Sequence, residues 1–170
     1  MLGEGVVINR GKRVTKKELS YDYKFEVYHG SSDIILGYYN DFNVEANSVI
    51  VVNTGGIGGV KFLSYKFWCS DGCFNISGNE ILSAKFIYYF LDTKTDYFIS
   101  NKRVGGVPTI DKKIIENLQI PIPPLEKQRE IVEILDKFSE LTTDLQSGLP
   151  AEIAARHKQY EYYRDKLLKF

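Results

Sequence analysis

The sequence has no apolar run approaching twenty residues, and no basic start followed by an apolar stretch and a cleavage site. A helix that spans a bilayer needs about 20 consecutive apolar residues, so neither a membrane span nor secretion is supported, and we expect a cytoplasmic protein. Charge of one sign is not in excess either, since 22 basic and 22 acidic residues cancel. Apolar residues are plentiful at 44%, enough for one domain with an appendage.

Cysteine and histidine are scarce, which limits metal and redox chemistry. Cys69 and Cys73 lie close together in sequence, whereas His29 and His157 are both far from them. A zinc site takes four ligands and usually closer Cys spacing, so these residues do not predict a metal centre. A disulfide between the two cysteines, across a strand and a turn, remains an alternative, although a reducing compartment disfavours it. The simplest interpretation is a pair of buried free thiols.

Residue types that carry catalysis are not arranged in a recognisable motif. Carboxylates are scattered, and we find neither a dinucleotide fingerprint nor the Asn-Pro-Pro-aromatic signature of adenine methyltransferases. The glycine-rich stretch 55–59 follows a predicted strand, but no Lys-Ser or Lys-Thr follows it. We interpret it as a hairpin turn rather than a phosphate-binding loop. These observations predict a protein that is not an enzyme.

Basic residues are concentrated near the start of the chain, although the net charge is zero. Residues 1–24 contain six basic and three acidic side chains, whereas residues 121–170 contain eight basic and nine acidic ones. Phosphate contacts require a local excess of Lys and Arg, so the first segment is a candidate nucleic-acid contact. A surface that is merely exposed to solvent gives the same charge pattern in the sequence, so charge alone does not distinguish the two interpretations.

The region after residue 24 predicts an α+β fold, a β-rich body with a few short helices. Segments rich in β-branched and aromatic residues, separated by Gly, Ser, Asn and Asp, predict strands at 25–29, 34–39, 48–53, 60–68 and 73–76. One aromatic helix is predicted over 84–98, packed on the sheet by residues on one face: Phe86, Tyr89, Phe90, Thr93 and Tyr97. Asp111 is a suitable N-cap for a short helix over 112–117.

A proline-rich segment, 120–124, separates this body from a helical C-terminal region, giving predicted domains 1–120 and 121–170. Proline fixes φ and removes a backbone donor, so we expect an extended segment with Pro124 in the first helical turn. Residues then recur at alternating spacings of four and three, typical of a helix with one apolar seam. They are Ile131, Leu135, Phe138, Thr142, Leu145 and Leu149, then Ile153, His157, Tyr160, Arg164 and Leu167.

The stretch 147–150, Ser-Gly-Leu-Pro, interrupts this seam and leaves two interpretations of the helical region. In the first, the helix is kinked there, or restarts with Pro150 near its first position, and forms a dimerisation arm on the order of 65 Å long. In the second, the chain turns at Gly148 and the helices fold back as a hairpin. The first is our working prediction.

Several segments resemble one known family. IPIPPLEKQREIVEILDKF and GLPAEIAARHKQYEYYRDKLL are similar to the central conserved region of the specificity subunit of Type I DNA restriction-modification enzymes. The resemblance extends back through GKRVTKKEL, YHGSSDIILGYYNDF, VNTGGIGGVKF, KFWCSDGCFNI, KFIYYFL and GGVPTIDKKIIENLQIPIPPL. It implies one target recognition domain followed by one conserved helical region. Such subunits usually carry two of these pairs, so the expectation is a half-subunit or a fragment.

The resemblance implies that this chain selects a DNA sequence while other chains carry out the chemistry. Modification subunits would methylate adenine with S-adenosylmethionine, and a restriction subunit would use ATP and Mg to translocate and cut. The chain itself would hold no cofactor and no metal. Expected partners are double-stranded DNA, those subunits and a second copy of the chain. The competing class is a structural or adaptor protein with a coiled-coil arm and no sequence preference.

The resemblance also assigns candidate residues to two surfaces. Candidates for DNA contact are a basic cluster, defined as Lys12, Arg13, Lys16 and Lys17, and the loop or strand residues Tyr28, Gly30, Ser31, Ser32, Asn53, Thr54, Lys61, Lys66, Lys102 and Arg103. For the loop 28–33, a self-capped turn without a role in binding is an equal alternative. Candidates for dimerisation are Ile131, Leu135, Phe138, Leu145, Leu149, Ile153, Tyr160 and Leu167.

A chain with one recognition domain can form a bipartite reader by pairing with a copy of itself. A closed two-fold dimer presents identical surfaces related by 180°, so its target shares that symmetry. The resemblance therefore implies an antiparallel homodimer through residues 124–168. It would read an interrupted palindrome with half-sites about one helical turn apart, roughly 34 Å or somewhat more.

Overall fold

The computed structural model of the protein describes residues 1–144 and 150–169. It divides into two units, Met1–Ile120 and Pro121–Phe170, and the division falls in the proline-rich segment. In chain order the elements are α1 (Leu2–Gly5), β1 (Ile8–Arg10), a 3-10 turn (Lys16–Glu18), β2 (Phe25–Tyr28), β3 (Ile35–Tyr39), β4 (Ser48–Val52), β5 (Val60–Leu63), β6 (Trp68–Cys69), β7 (Cys73–Ser77), α2 (Ala84–Asp92), α3 (Thr95–Ser100), α4 (Lys112–Glu116), α5 (Leu125–Asp144) and α6 (Pro150–Leu167). The α+β class is confirmed.

The larger sheet of the first unit has the order β1-β7-β4-β5, and every neighbouring pair is antiparallel. Strand β4 lies in its interior, where Ile50 is opposite both Lys61 and Asn75. Its sequence is Ser-Val-Ile-Val-Val and all five residues are buried. A strand that is covered on both faces reads as a continuous apolar run, which explains why β4 shows no alternation.

The smaller sheet has the order β3-β2-β6, in which β2 pairs antiparallel with β3 and parallel with β6. A shift in register between Val27 and Tyr28 marks a bulge in β2. One core cluster draws on both sheets and consists of Tyr28, Val44, Ile50, Val52, Leu63, Phe67, Cys69 and Cys73. Both cysteines are buried free thiols, as predicted. Burial raises the pKa of Cys73 to about 11 and that of Cys69 further still.

The structure corrects some predicted elements. The strand expected over 60–68 is broken into β5 and β6, and the helix expected over 84–98 is two helices, α2 and α3. The hydroxyl of Thr93 donates to the carbonyl of Phe90 at 2.7 Å, and such local hydrogen bonds compete with continued helix. After the break, Phe98 is buried and Tyr97 is 44% exposed, so Tyr97 leaves the predicted face.

In the second unit, α5 and α6 contact each other, and the rings of Phe138 and Tyr163 stack with 5.3 Å between centroids. Helix α6 begins at Pro150, consistent with a restart at that residue. Residues 145–149 lie outside the described residues, so Leu145 and Leu149 of the predicted seam cannot be placed, and the same holds for the side chain of Ile153. Contact between the helices shows the hairpin, and the single long rod is wrong for this chain.

Part of the predicted seam is buried within the single chain, whereas His157 is exposed. Ile131 and Leu135 are 2% and 0% exposed within the single chain. Phe138, Tyr160 and Leu167 are partly buried. Ile131 and Leu135 are therefore not accessible to a second copy in this structure, whereas the other three are partly accessible. Dimerisation through the seam stays a prediction.

Candidate nucleic-acid interface

Loops from several strands meet at one end of the larger sheet, next to the pair formed by Val52 and Cys73. They are the segment 11–17 after β1, the loop 29–33 after β2, the glycine-rich loop 53–59 after β4, the turn 70–72 before β7 and the segment 101–110 after α3. We call this group the loop end. It includes most of the residues that the sequence proposed for DNA contact.

The segment that carries the basic cluster is fixed to the turn before β7 by backbone hydrogen bonds. Gly11 N donates to Cys73 O at 3.0 Å, and Lys12 N donates to Cys69 O at 2.9 Å. The indole Nε1 of Trp68 donates to Lys12 O at 2.8 Å. A Cβ at Gly11 would lie 2.2 Å from Ser70 O, so only glycine allows this close approach. The backbone is therefore fixed while the cationic side chains point outward.

All four members of the basic cluster are exposed, as are Lys102 and Arg103. Exposed Lys and Arg side chains on an ordered backbone are accessible to phosphate oxygens. Close to the cluster, the carboxylate of Glu18 accepts hydrogen bonds from the Thr15 hydroxyl at 2.7 Å and the Thr15 backbone N–H at 2.8 Å. These bonds lower the pKa of Glu18 and close a capping box around the 3-10 turn that holds Lys16 and Lys17.

The loop 29–33 and the glycine-rich loop pack directly against each other. Gly56 N donates to Gly30 O at 2.8 Å. Gly55 has a φ of 88°, and a Cβ there would lie 2.8 Å from Gly30 O. Both the backbone conformation and the contact therefore require glycine at this position. The structure thus brings together Gly30 and Thr54, two residues that the sequence placed on separate loops.

Within the first of these loops, the hydroxyl of Ser31 accepts hydrogen bonds from Asp33 N and Ile34 N, both at 3.1 Å. The self-capped turn is therefore present. Ser31, Ser32 and Thr54 remain partly exposed, so their hydroxyls can still donate to an acceptor on a base edge. The structural role of the turn does not remove its capacity to bind.

The segment after α3, residues 101–110, packs against the glycine-rich loop at Asn53 and Thr54. Ile110 N donates to Asn53 O at 3.0 Å, and Thr54 and Thr109 form an isolated β-bridge. Arg103 and Thr109 form a second bridge, with Arg103 N donating to Thr109 O at 2.7 Å. Arg103 is therefore held on a short hairpin beside the glycine-rich loop.

Two predicted contact residues are corrected by their burial. Tyr28 is 1% exposed and Asn53 is 2% exposed, so neither side chain faces solvent. The hydroxyl of Tyr28 donates to Glu26 Oε2 at 2.6 Å and lies 2.9 Å from the hydroxyl of Tyr65. Burial, followed by these hydrogen bonds, raises the pKa of Tyr28 far above its ordinary value. Tyr28 and Asn53 support the loops and do not present a contact surface.

Lys61 and Lys66 are already engaged by neighbouring groups. The Nζ of Lys61 lies 5.2 Å from the ring centroid of Tyr28. The Nζ of Lys66 lies 3.0 Å from Glu45 Oε2 and 4.1 Å from the ring centroid of Phe42. Both lysines would bind a phosphate only in competition with these cation–π and ionic contacts.

His29 and Asp71 also belong to the loop end, although the sequence gave no reason to choose them. His29 Nδ1 lies 3.3 Å from Asp71 Oδ1. Both residues line an open cavity of about 440 Å³ together with Arg13 and Lys16. The pair is far apart in sequence and comes together because β2 and β6 are parallel neighbours, with Tyr28 opposite Cys69. No local pattern could have indicated that pairing.

Neither a metal centre nor a membrane helix is visible in the part of the chain that the structure describes. Among those residues, His, Cys, Asp and Glu form no group of three or more that could hold a metal ion. No helix within the same residues combines the length and the apolar character needed to cross a bilayer. What the described site does offer is a set of exposed cations around short polar loops.

Comparison with known proteins identifies the family. The profile of the family described as Type I restriction modification DNA specificity domain matches residues 2–155, most of the chain. The chain belongs to this family. Within it, the chain is 45% identical over 94 residues to the Type I restriction enzyme EcoR124I/EcoR124II specificity subunit of Escherichia coli, a match that covers 54% of this chain and 23% of that protein. It is 32% identical to a putative type I specificity subunit of Mycoplasma pneumoniae over 96% of this chain and 55% of that protein.

Solved structures of the same family share the fold. The S subunit of a Type I restriction-modification system from M. genitalium superposes with a TM-score of 0.74 at 21% identity, covering 86% of this chain and 40% of that one. The HsdS subunit of Thermoanaerobacter tengcongensis gives a TM-score of 0.69 at 19% identity, covering 98% and 43% of the two chains. The chain thus spans about half the length, or less, of these relatives.

Proposed function

We propose that this chain is a DNA-recognition module of a Type I restriction-modification system, in which the loop end contacts the target sequence. The observation that carries the proposal is the convergence, at one end of a β-sheet, of the exposed basic cluster with two short polar loops. Cations that hold the phosphate backbone position a protein on DNA, while short polar side chains nearby can reach base edges. Family membership agrees with this assignment.

The chain would be non-catalytic and would act together with other subunits in the cytoplasm. We expect modification subunits to supply adenine methylation with S-adenosylmethionine, and a restriction subunit to supply ATP- and Mg-dependent translocation and cleavage. This chain's own residues would position the target. The relatives are named as specificity subunits, which supports such partners. No cofactor is proposed for the chain itself.

A second copy of the chain is a further proposed partner, as the sequence predicts. Because Ile131 and Leu135 are buried in the hairpin, the surface for such a dimer has to include other residues. Exposed apolar side chains are present on both helices, with Ile134 40%, Leu141 50% and Tyr162 61% exposed. Apolar residues of this kind on a helical unit are suitable for packing against further helices.

Selection of bound sites from random duplex DNA tests the proposed function. The full chain would be used with and without its methyltransferase partner, and the bound fraction sequenced after several rounds. We expect a defined motif to be enriched when the partner is present. The chain alone should bind weakly and with a strong salt dependence, since it contributes only part of a multi-point clamp around the duplex.

Two results would contradict the proposal. Retention of DNA without an enriched motif would show a basic surface that lacks sequence recognition. Failure to retain DNA in either condition would favour the adaptor function, in which the helical unit docks a partner and the β-rich unit reads no DNA.

A further inference from the structure

His29 occupies a position in the loop end that is built by three separate chain segments. Its Nδ1 lies 3.3 Å from Asp71 Oδ1, and the cavity beside it is lined by Arg13 and Lys16. The side chains of His29 and Asp71 are 39% and 34% exposed, so the pair is neither buried in the core nor free in solvent. Val14, Thr15 and Leu36 complete the lining without adding charge.

Asp71 is held firmly enough to orient the imidazole. The hydroxyl of Ser70 donates to Asp71 Oδ1 at 3.1 Å, and Arg10 Nε donates to the backbone carbonyl of Asp71 at 3.1 Å. Beneath the ring, a Cβ at Gly72 would lie 2.8 Å from His29 Nδ1, so glycine allows the ring to pack against the turn. When Nδ1 is engaged by a carboxylate, the other ring nitrogen, Nε2, is the one available to a ligand.

We propose that Arg13, Lys16 and His29 form a binding site for one phosphate group of the DNA backbone, with Asp71 as the positioning residue for the imidazole. The proposal rests on the proposed function, because the phosphate belongs to the DNA bound at the loop end. It adds His29 to the contact surface and gives Asp71 a role that its negative charge alone would argue against.

The charge around the ring makes a phosphate the best-matched ligand. Arg13 and Lys16 face the cavity as cations and Asp71 as an anion, while Arg10 is bound to the far side of the Asp71 turn. The lining therefore carries a net charge of +1 with neutral His29 and +2 when His29 is protonated. Protonation of the imidazole would add one cationic contact to the site. A bound phosphate stabilises the protonated form, and by linkage protonation strengthens phosphate binding.

The test measures how the salt dependence of DNA binding changes with pH. The full chain would be titrated with a fluorescently labelled duplex at several salt concentrations, at about pH 5.5 and about pH 8. For the wild-type chain we expect binding about fivefold tighter at the lower pH, the effect of one charge-assisted contact. The plot of log K against log salt should also be steeper there, because the site then presents one more positive charge to the DNA.

Matched variants distinguish the contribution of His29 from other effects of low pH on DNA binding. His29→Gln keeps a polar side chain but cannot gain a charge, so its salt slope should be the same at both pH values. His157→Gln removes the other histidine, which lies in α6, and should keep the wild-type difference. In Asp71→Asn the gain in affinity should be smaller than in the wild type, because the ring loses the carboxylate that orients it. Circular dichroism would confirm that each variant is folded.

The outcomes separate this site from the wider proposal. A pH-dependent gain that persists unchanged in His29→Gln would overturn the phosphate site while leaving DNA recognition intact. A gain that disappears equally in His157→Gln would do the same. A wild-type chain that binds duplex without any gain at the lower pH would overturn the site alone. If the wild-type chain binds no duplex at either pH, with or without its methyltransferase partner, the proposed function fails and the site fails with it.

Discussion

Arg103 and Asp111 form an ion pair, with 3.3 Å between Nη1 and Oδ1, across the segment that joins α3 to α4. The sequence assigned them separate tasks, Arg103 to the DNA backbone and Asp111 to the N-cap of a helix. In the structure Asp111 is the N-cap residue of α4, as predicted, but its carboxylate makes no capping hydrogen bond and contacts the guanidinium of Arg103. The two side chains are 71% and 55% exposed, and exposed ion pairs contribute little to stability. On the proposed function, Asp111 would compete with a DNA phosphate for Arg103.

The first prediction follows from that competition. Asp111→Asn should tighten non-specific DNA binding about threefold, since a guanidinium freed from its carboxylate meets phosphate more readily. The free energy of unfolding should change by less than about 0.5 kcal/mol. Fluorescence anisotropy and urea unfolding measure the two effects. Glu116→Gln, which removes the same charge from the Lys112 pair on α4, is the control and should leave DNA affinity unchanged.

A second prediction concerns the basic cluster. Replacing Lys12, Arg13, Lys16 and Lys17 by Ala should weaken binding to a similar degree on all sequences, and should lower the salt slope by about one for each phosphate that the variant no longer binds. The control replaces four lysines of the helical unit, Lys127, Lys137, Lys158 and Lys166, which removes the same charge elsewhere. Equal weakening in both variants, or a silent basic cluster, would place the docking surface elsewhere.

The third prediction separates sequence preference from affinity. Ser32→Ala and Thr54→Val each remove one hydroxyl from the packed loops and should change preference at particular base pairs, with discrimination falling by about 1–3 kcal/mol where the hydroxyl had bound a base edge. Ser64→Ala, at an exposed serine after β5, is the matched control. Site selection on each variant gives the result. Motifs identical to wild type in both loop variants would mean that these hydroxyls do not read bases.

How much of this could be predicted from the sequence depends on whether a feature is local. Four of the five predicted strands match the structure within one residue at each end, because composition and turn residues act locally, whereas the strand predicted over 60–68 is broken into β5 and β6. The apolar seam of α5 and α6 was also predicted from the sequence. The same apolar pattern is compatible with a continuous rod and with a hairpin, and only the contacts between the helices distinguish them. The break at Thr93 was missed because its hydroxyl bonds a carbonyl within the preceding turn.

Within the candidate site, exposure of the basic cluster could be predicted because long cationic side chains stay in water. Burial of Tyr28 and Asn53 could not, since it depends on how the two sheets and the segment after α3 close over them. The same reason explains His29 and Asp71. Their contact requires a parallel strand pair, which no spacing within either segment indicates.

The fourth prediction tests the hairpin. Leu135→Glu places a charge at a position that is 0% exposed, and an unpaired buried charge costs several kcal/mol, so the helical unit should lose structure. Ile134→Glu, at a neighbouring position that is 40% exposed, should keep its helices. Circular dichroism and limited proteolysis would compare them. The wild-type helix content should also not change on dilution. Helices that are ordered only in a dimer would instead lose helix content as the dimer dissociates into monomers.

The last prediction concerns the symmetry of the DNA that the chain reads. If two copies act together, a closed two-fold dimer places identical loop ends at positions related by 180°, and each copy can recognise only the same half-site in inverted orientation. The target must then be an interrupted palindrome, with half-site centres about one helical turn apart, roughly 34 Å, or somewhat more. Mapping methylated adenines in a host that carries this chain with its methyltransferase measures this directly. A palindromic motif, together with a dimeric mass by sedimentation, is the expected result. A non-palindromic motif would show that a different recognition domain reads the second half, because two identical surfaces cannot prefer two different sequences.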